Sequence, residues 1–153
     1  MRPPILLLGL SLIGLLTACP KPDEVKQQET ASVITLTQVG CQFLETETQN
    51  QQFKPQRAED CRGLNAKADR RPGFKPLKLK AGDYIFRVTN QNVPYELGFY
   101  LRGEGVSQVT LPKVSGGGLT QGLTKDYQIS LKPGKYVFSC PLNPTPDYPL
   151  IVE

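Results

Sequence analysis

A period of two governs most of this chain beyond residue 32, and it restricts the fold more than any other feature. In DYQISLKPGKYVFSC at 126–140, Tyr127, Ile129 and Leu131 alternate with polar residues, Lys132-Pro133-Gly134 supplies a turn, and Tyr136, Phe138 and Cys140 resume the alternation. Successive side chains of a strand point to opposite faces, so each run predicts a strand with one face in a core. YIFRVTN at 84–90 sets Tyr84, Phe86 and Val88 against Ile85, Arg87 and Thr89, and YELGFYLR at 95–102 puts Leu97, Phe99 and Leu101 on one side. VITLTQ at 33–38, LKLK at 77–80, QVTL at 108–111 and the terminal YPLIVE bring the total to seven or eight short strands, with GCQFLETE at 40–47 continuing or bending the first. Turn residues, among them many of the 14 Gly and 14 Pro, separate them. The expectation is an all-β chain: a two-sheet sandwich with Greek-key connections. PQRAEDCRGLNAK at 55–67 is the one stretch of helical composition, and a length of 153 residues permits a single domain of ordinary size.

The first 18 residues stand apart. Arg2 is followed by an apolar run from Ile5 to Leu16 closed by small residues, the three-part pattern of a secretory signal. Twelve apolar residues fall short of the roughly 20 that span a bilayer as a helix. The run ends in Leu16-Thr17-Ala18-Cys19, which resembles the lipobox of bacterial lipoproteins. That resemblance implies cleavage before Cys19 and acyl chains on its sulfur and amino group, hence an exported protein held to a bacterial membrane by lipid, with its domain periplasmic or otherwise extracytoplasmic. Several chains anchor stably where one binds marginally. Residues 19–32, polar apart from Val25, read as a flexible tether, leaving 33–153 as the domain.

Counting excludes several chemistries. There is no histidine, so Ser-His-Asp hydrolysis, Cys-His catalysis and histidine-held zinc or copper are absent. Without Arg2 the chain carries 17 basic and 14 acidic side chains, a net of +3 that is too mild to argue for nucleic acid. Residues 54–80 concentrate nine of the basic groups (Lys54, Arg57, Arg62, Lys67, Arg70, Arg71, Lys75, Lys78, Lys80) against Glu59, Asp60 and Asp69. The segment is either a solvated face, beside the membrane or in a connecting loop, or a surface for an acidic partner or anionic headgroups. Once Cys19 is lipidated, Cys41, Cys61 and Cys140 remain, an odd number in an exported chain. Cys41–Cys61 is the expected disulfide, worth about 3 kcal/mol for the 20-residue loop it closes. Pairing of either with Cys140, or three free thiols, are the alternatives.

From residue 77 to 153 the chain resembles the cupredoxins, the β-sandwiches that include plastocyanin. The matching stretches are AGDYIFRVTNQNVPYELGF at 81–99 and LTKDYQISLKPGKYVFSCPLNPTPDYPLIVE at 123–153. The closing hairpin of the family looks like L-x-P-G-x-Y-x-F-x-C, matched by Leu131, Pro133, Gly134, Tyr136, Phe138 and Cys140. The resemblance puts Cys140 where the family has its copper thiolate. It puts Tyr95, after Pro94, at the first histidine position, Asn143 at the second and Tyr148 at the axial methionine, with Pro146 or Asp147 as other candidates for that axial place. Phenol and amide oxygens are harder, weaker copper ligands than imidazole or thioether, and tyrosine must first lose a proton with an ordinary pKa near 10. No cofactor is therefore expected, and copper held by Cys140 with non-histidine ligands is the alternative.

CPLNPTPDYP at 140–149 holds four prolines and should be stiff. Tyr95, Asn143, Asp147 and Tyr148 would then form either a recognition pole or a plug in the former metal cavity. SGGGLTQGLTK at 115–125 lacks the lysine and helix of a phosphate loop and reads as a mobile loop. Glu45 and Glu47 read as exposed alternating acids. The sequence thus points to a binding or assembly module rather than an enzyme, with electron transfer or copper handling through Cys140 as the rival.

Overall fold

The computed structural model describes residues 30–65 and 74–153. The expected signal peptide, Cys19, all but the last residues of the tether, and Lys67, Asp69, Arg70 and Arg71 lie outside them. The described residues form strands β1 (Ser32–Val39) and β2 (Gln42–Phe43), helix α1 (Ala58–Asn65), and strands β3 (Leu77–Leu79), β4 (Gly82–Asn90), β5 (Leu97–Gly103), β6 (Val114–Leu119), β7 (Thr124–Leu131), β8 (Gly134–Ser139) and β9 (Tyr148–Val152).

Two sheets face each other, one ordered β2-β1-β4-β7 and the other β3-β9-β8-β5-β6. Pairing of β1 with β4 and of β3 with β9 is parallel, and every other pair is antiparallel. The period-two runs meet between the layers: Leu36, Phe86, Val88, Phe99, Leu101, Ile129, Tyr136, Phe138, Leu150 and Val152 are all buried there. Phe99 lies at the centre, its ring 5.1 to 6.2 Å from those of Tyr127, Phe86, Phe138 and Phe43. Each such side chain contributes about 1.5–3 kcal/mol by leaving water. The all-β sandwich and its single short helix match the expectation.

Two stretches differ from it. QVTL at 108–111, expected as a strand, belongs instead to a 3-10 turn over Gly105–Val109 and its exit. The Glu104 N–H makes a last bond in the β5–β8 register, to Lys135 O; Gly105 then turns the chain at a φ of +54°, and the local bonds of Ser107 N–H to Glu104 O and Leu111 N–H to Ser107 O close the turn in place of a ladder. The glycine-rich stretch expected as a loop supplies the edge strand β6, paired to β5 from Leu97↔Leu119 to Leu101↔Val114. Its outer backbone groups are satisfied by side chains: Lys125 Nζ donates to Gly117 O at 2.7 Å, Tyr127 to Gly116 O at 3.4 Å, and Gly118 N–H donates to Glu96 at 2.6 Å. These bonds hold as a strand a sequence whose own β propensity is low.

The registers define two ends. Ser32, Gly82, Leu131, Gly134, Gly103 and Val152 lie at the end where β1 begins; Val39, Asn90, Leu97, Leu119, Thr124 and Ser139 lie at the other, which also carries the Cys41–Cys61 disulfide.

Candidate functional site

The disulfide end is assembled from the β1–β2 turn, α1, the segment before β5 and the proline-rich loop 140–147. Gly40 permits the turn, because a Cβ there would sit 2.3 Å from Phe53 O and 2.4 Å from Pro55 Cδ. Cys41 follows at a φ of +62° and bonds to Cys61. Within α1 the buried residue is that same Cys61. Asp60 accepts from the Gln56 and Arg57 N–H groups at 2.9 and 3.3 Å; the Gln56 bond, opposed by desolvation and helped by individually smaller contributions from Arg57, holds its carboxyl below the ordinary value. Asn65 Nδ2 closes the other end of α1 on Cys41 O at 3.3 Å and on Pro144 O.

Asn143 joins these pieces. Its Oδ1 accepts from Cys41 N–H at 3.1 Å and from the Tyr95 hydroxyl at 3.0 Å, and its Nδ2 donates to Val39 O at 3.0 Å. Cys61 Sγ, which carries no hydrogen in the disulfide, lies 3.2 Å from the same oxygen. The carboxamide is fully buried and occupied at both ends. Burial, with smaller contributions from the charges of Cys140, Asp60 and Glu59, pushes the pKa of the half-buried Tyr95 up to about 12. Tyr148 is fully buried between Phe74, Phe43 and Phe138; its hydroxyl accepts from Phe43 N–H at 3.3 Å and donates to Glu47. Glu45 instead accepts from Thr37 N–H at 2.8 Å, so the two acids are tied separately to the fold.

Cys140 is a free, buried thiol. Its sulfur accepts from Gly98 N–H at 3.3 Å, and burial raises its pKa against the opposing pull of the Gly98, Asn143 and Leu142 N–H groups and the Gln38 carboxamide. Gln38 Nε2 itself donates to Gly98 O at 2.8 Å, while its Oε1 is buried without a partner.

The structure brings Tyr95, Cys140 and Asn143 to one end, with Tyr148 turned towards β2. Cys140, Asn143 and Tyr148 are wholly buried and both tyrosine hydroxyls are bonded internally, while Tyr95 is half-buried and Asp147 is exposed. Asp147, the other axial candidate, points outward to Arg102, whose guanidinium bonds it at 2.7 and 2.8 Å, reaches Ser139 Oγ at 3.1 Å and lies 4.7 Å from the Tyr100 ring centroid. This donor set does not fit a type-1 copper ion. Asn143 Oδ1 already accepts two hydrogen bonds and the Tyr95 hydroxyl donates one of them, so neither oxygen is free as imidazole nitrogen would be, and a protonated thiol in an apolar wall is a poor ligand. Among the described residues, no three Cys, Asp or Glu side chains cluster to hold a metal.

Three contributors were missed in the sequence. Gln38 and Asn90 had a signal, because period two puts them on the core faces of Leu36 and Val88; Asn90 is buried and bonds Val93 and Leu119. Arg102 had none, being one of several charged residues on an outer face. On that face, the outside of the five-stranded sheet, Tyr100, Lys113, Gly116, Gly117, Pro141 and Leu142 line an open groove of about 640 Å3. Among the described residues of the expected basic segment, Lys54, Arg57 and Arg62 are exposed around α1, with Arg57 paired to Asp60, whereas Lys78 and Lys80 belong to β3 and its exit. Compared with known proteins, the chain matches no family model and no curated protein.

Proposed function

We propose that this is an exported lipoprotein, anchored to a bacterial membrane by acyl chains on Cys19, whose cupredoxin-like domain carries no copper and serves as a binding or assembly module rather than an enzyme. The observation that supports the copper-free reading is Asn143. At the position that resembles the family's second imidazole, its carboxamide spans the β1–β2 turn, Tyr95 and the closing loop, with neither end free for an ion. Partner contact falls to what remains exposed around the buried Cys140, Asn143 and Tyr148. That surface is the groove beside Pro141 and Leu142, with the positive charge of Lys54 and Arg62 near α1 favouring an acidic protein partner.

The test is a copper titration of residues 20–153, reduced and freed of metal, followed by visible absorption and repeated with Cys140→Ser. No thiolate-to-copper charge-transfer band is expected. Stoichiometric colour that disappears in Cys140→Ser overturns the reading in favour of electron transfer or copper handling with non-histidine ligands. The anchor is tested separately: Cys19→Ala should move the protein from the membrane fraction to the soluble one.

A further inference from the structure

Val106 and Val109 are 91% and 89% exposed, the most exposed large apolar side chains in the described residues. They sit three apart on the 3-10 turn Gly105–Val109, where a three-residue repeat places both on one side. The turn is held by the bonds of Glu104 to Lys135 O and of Ser107, Thr110 and Leu111 to their neighbours, so the valines project from a built tip.

The position of the tip matters more than its composition. Gly103 pairs with Tyr136, Gly134 with Val152, the Ala81 N–H bonds to Glu153 O, and Gly82 and Ser32 adjoin them through β4. The tip is therefore at the end where β1 begins, and so at the end where the preceding chain joins the domain. Cys19 precedes Thr30 by 11 residues, which at about 3.3–3.6 Å each reach no further than about 40 Å. The opposite end lies the length of β4 away, nine residues or about 30 Å and within that reach, so the tether allows either end at the bilayer and the exposed valines are what single out this one.

We propose that the Val106/Val109 tip is a membrane-contacting surface: it inserts into the headgroup and upper acyl region of the bilayer that holds Cys19, and sets the disulfide end facing away from it. The inference rests on the lipid-anchor reading. Shallow insertion of apolar side chains to about 5–10 Å needs no spanning segment. Exposed lysines at this end, Lys80, Lys132 and Lys135, are matched in number by the exposed acids Asp83, Glu104 and Glu153, so the contact is apolar in character and does not depend on anionic lipid.

The chain contains no tryptophan, so a single introduced one reports its own surroundings. Full-length lipidated protein carrying Val106→Trp, Val109→Trp or, at the far end, the 43%-exposed Leu142→Trp would be reconstituted on phosphatidylcholine vesicles with brominated acyl chains. The expected result is co-flotation of all three, with blue-shifted emission quenched roughly twofold or more at 106 or 109 and water-like emission at 142. Co-flotation with water-like, unquenched emission at 106 and 109 overturns the tip and leaves the anchor standing. Equal quenching at 106, 109 and 142 overturns the orientation. Failure of the proteins to float overturns the anchor and the inference together.

Discussion

At the disulfide end, Asn143, Gln38, Asn90 and Tyr148 are polar side chains withdrawn from water, whereas at the end where β1 begins Val106 and Val109 are apolar side chains held in it. Both arrangements run against simple partition, but with different costs. Buried polar groups must be paired, and nearly every one at the first end is; its integrity depends on side chains from four separate segments agreeing. The second end is fixed by backbone hydrogen bonds and asks nothing of the valine side chains. Substitution should thus be expensive at one end and cheap at the other, which leaves the second free to serve an external contact.

The largest expected effect comes from removing the disulfide. Cys41→Ala with Cys61→Ala should cost about 3 kcal/mol through the 20-residue loop, measured by chemical denaturation. Since Cys61 is the buried residue of α1, the helix should also become an early site of proteolysis. A loss below about 1 kcal/mol would mean that the hydrogen bonds alone hold this end. Next is Asn143→Ala, which strands Cys41 N–H, Val39 C=O and the Tyr95 hydroxyl and should cost about 2–3 kcal/mol; Tyr148→Phe, which removes the hydroxyl's bonds with Phe43 N–H and Glu47, should cost about 1–2 kcal/mol. Combined with the disulfide variant, Asn143→Ala should cost less than the sum, because both act on Cys41.

Alkali provides a milder probe, reaching the disulfide end through Cys140 and Tyr95 and the rest of the sandwich through Tyr127 and Tyr136. Burial raises the pKa of Cys140, Tyr127 and Tyr136, and lifts Tyr95 to about 12, so the folded chain keeps protons that the unfolded chain loses at about 8.5 for thiol and about 10 for phenol. Where the unfolded state binds fewer protons, stability falls as pH rises. The contribution is complete below about pH 8.5 and is lost progressively from there to about 12. Melting temperature measured from pH 7 to 11 should decline, and Tyr95→Phe should flatten the upper part of the curve. A decline identical in the variant would remove Tyr95 from the explanation.

The strands β4, β5, β7 and β8 were legible because one face of each is core and the period of two records it. Cys41–Cys61 was legible from an odd cysteine count and loop length. β6 was not, since VSGGGL becomes a strand through Lys125, Tyr127 and Glu96, residues remote from it in its own pattern. QVTL failed for the converse reason: its alternation is real, but after Glu104 makes the last bond of the β5–β8 register, to Lys135, Gly105 turns the chain out of the sheet and the valines face outward. At the site, sequence could propose that Tyr95, Cys140, Asn143 and Tyr148 converge. It could not say that they face inward, because that follows from the disulfide bringing the β1–β2 turn over the closing loop.

The smallest expected effect is the sharpest on the comparison. Val106→Ser with Val109→Ser removes apolar groups that bury almost no surface on folding, so stability should stay within about 0.5 kcal/mol of the parent. Val88→Ala, the loss of two methyl groups from a fully buried position, should cost about 2 kcal/mol by the same denaturation measurement. If the double serine variant keeps its stability but its lipidated form lets the domain rotate on the vesicle, so that Leu142→Trp in that background becomes quenched, the valines act on the bilayer and not on the fold. If it loses more than about 1 kcal/mol, the valines pack against the domain in solution, and the contrast between the two ends disappears.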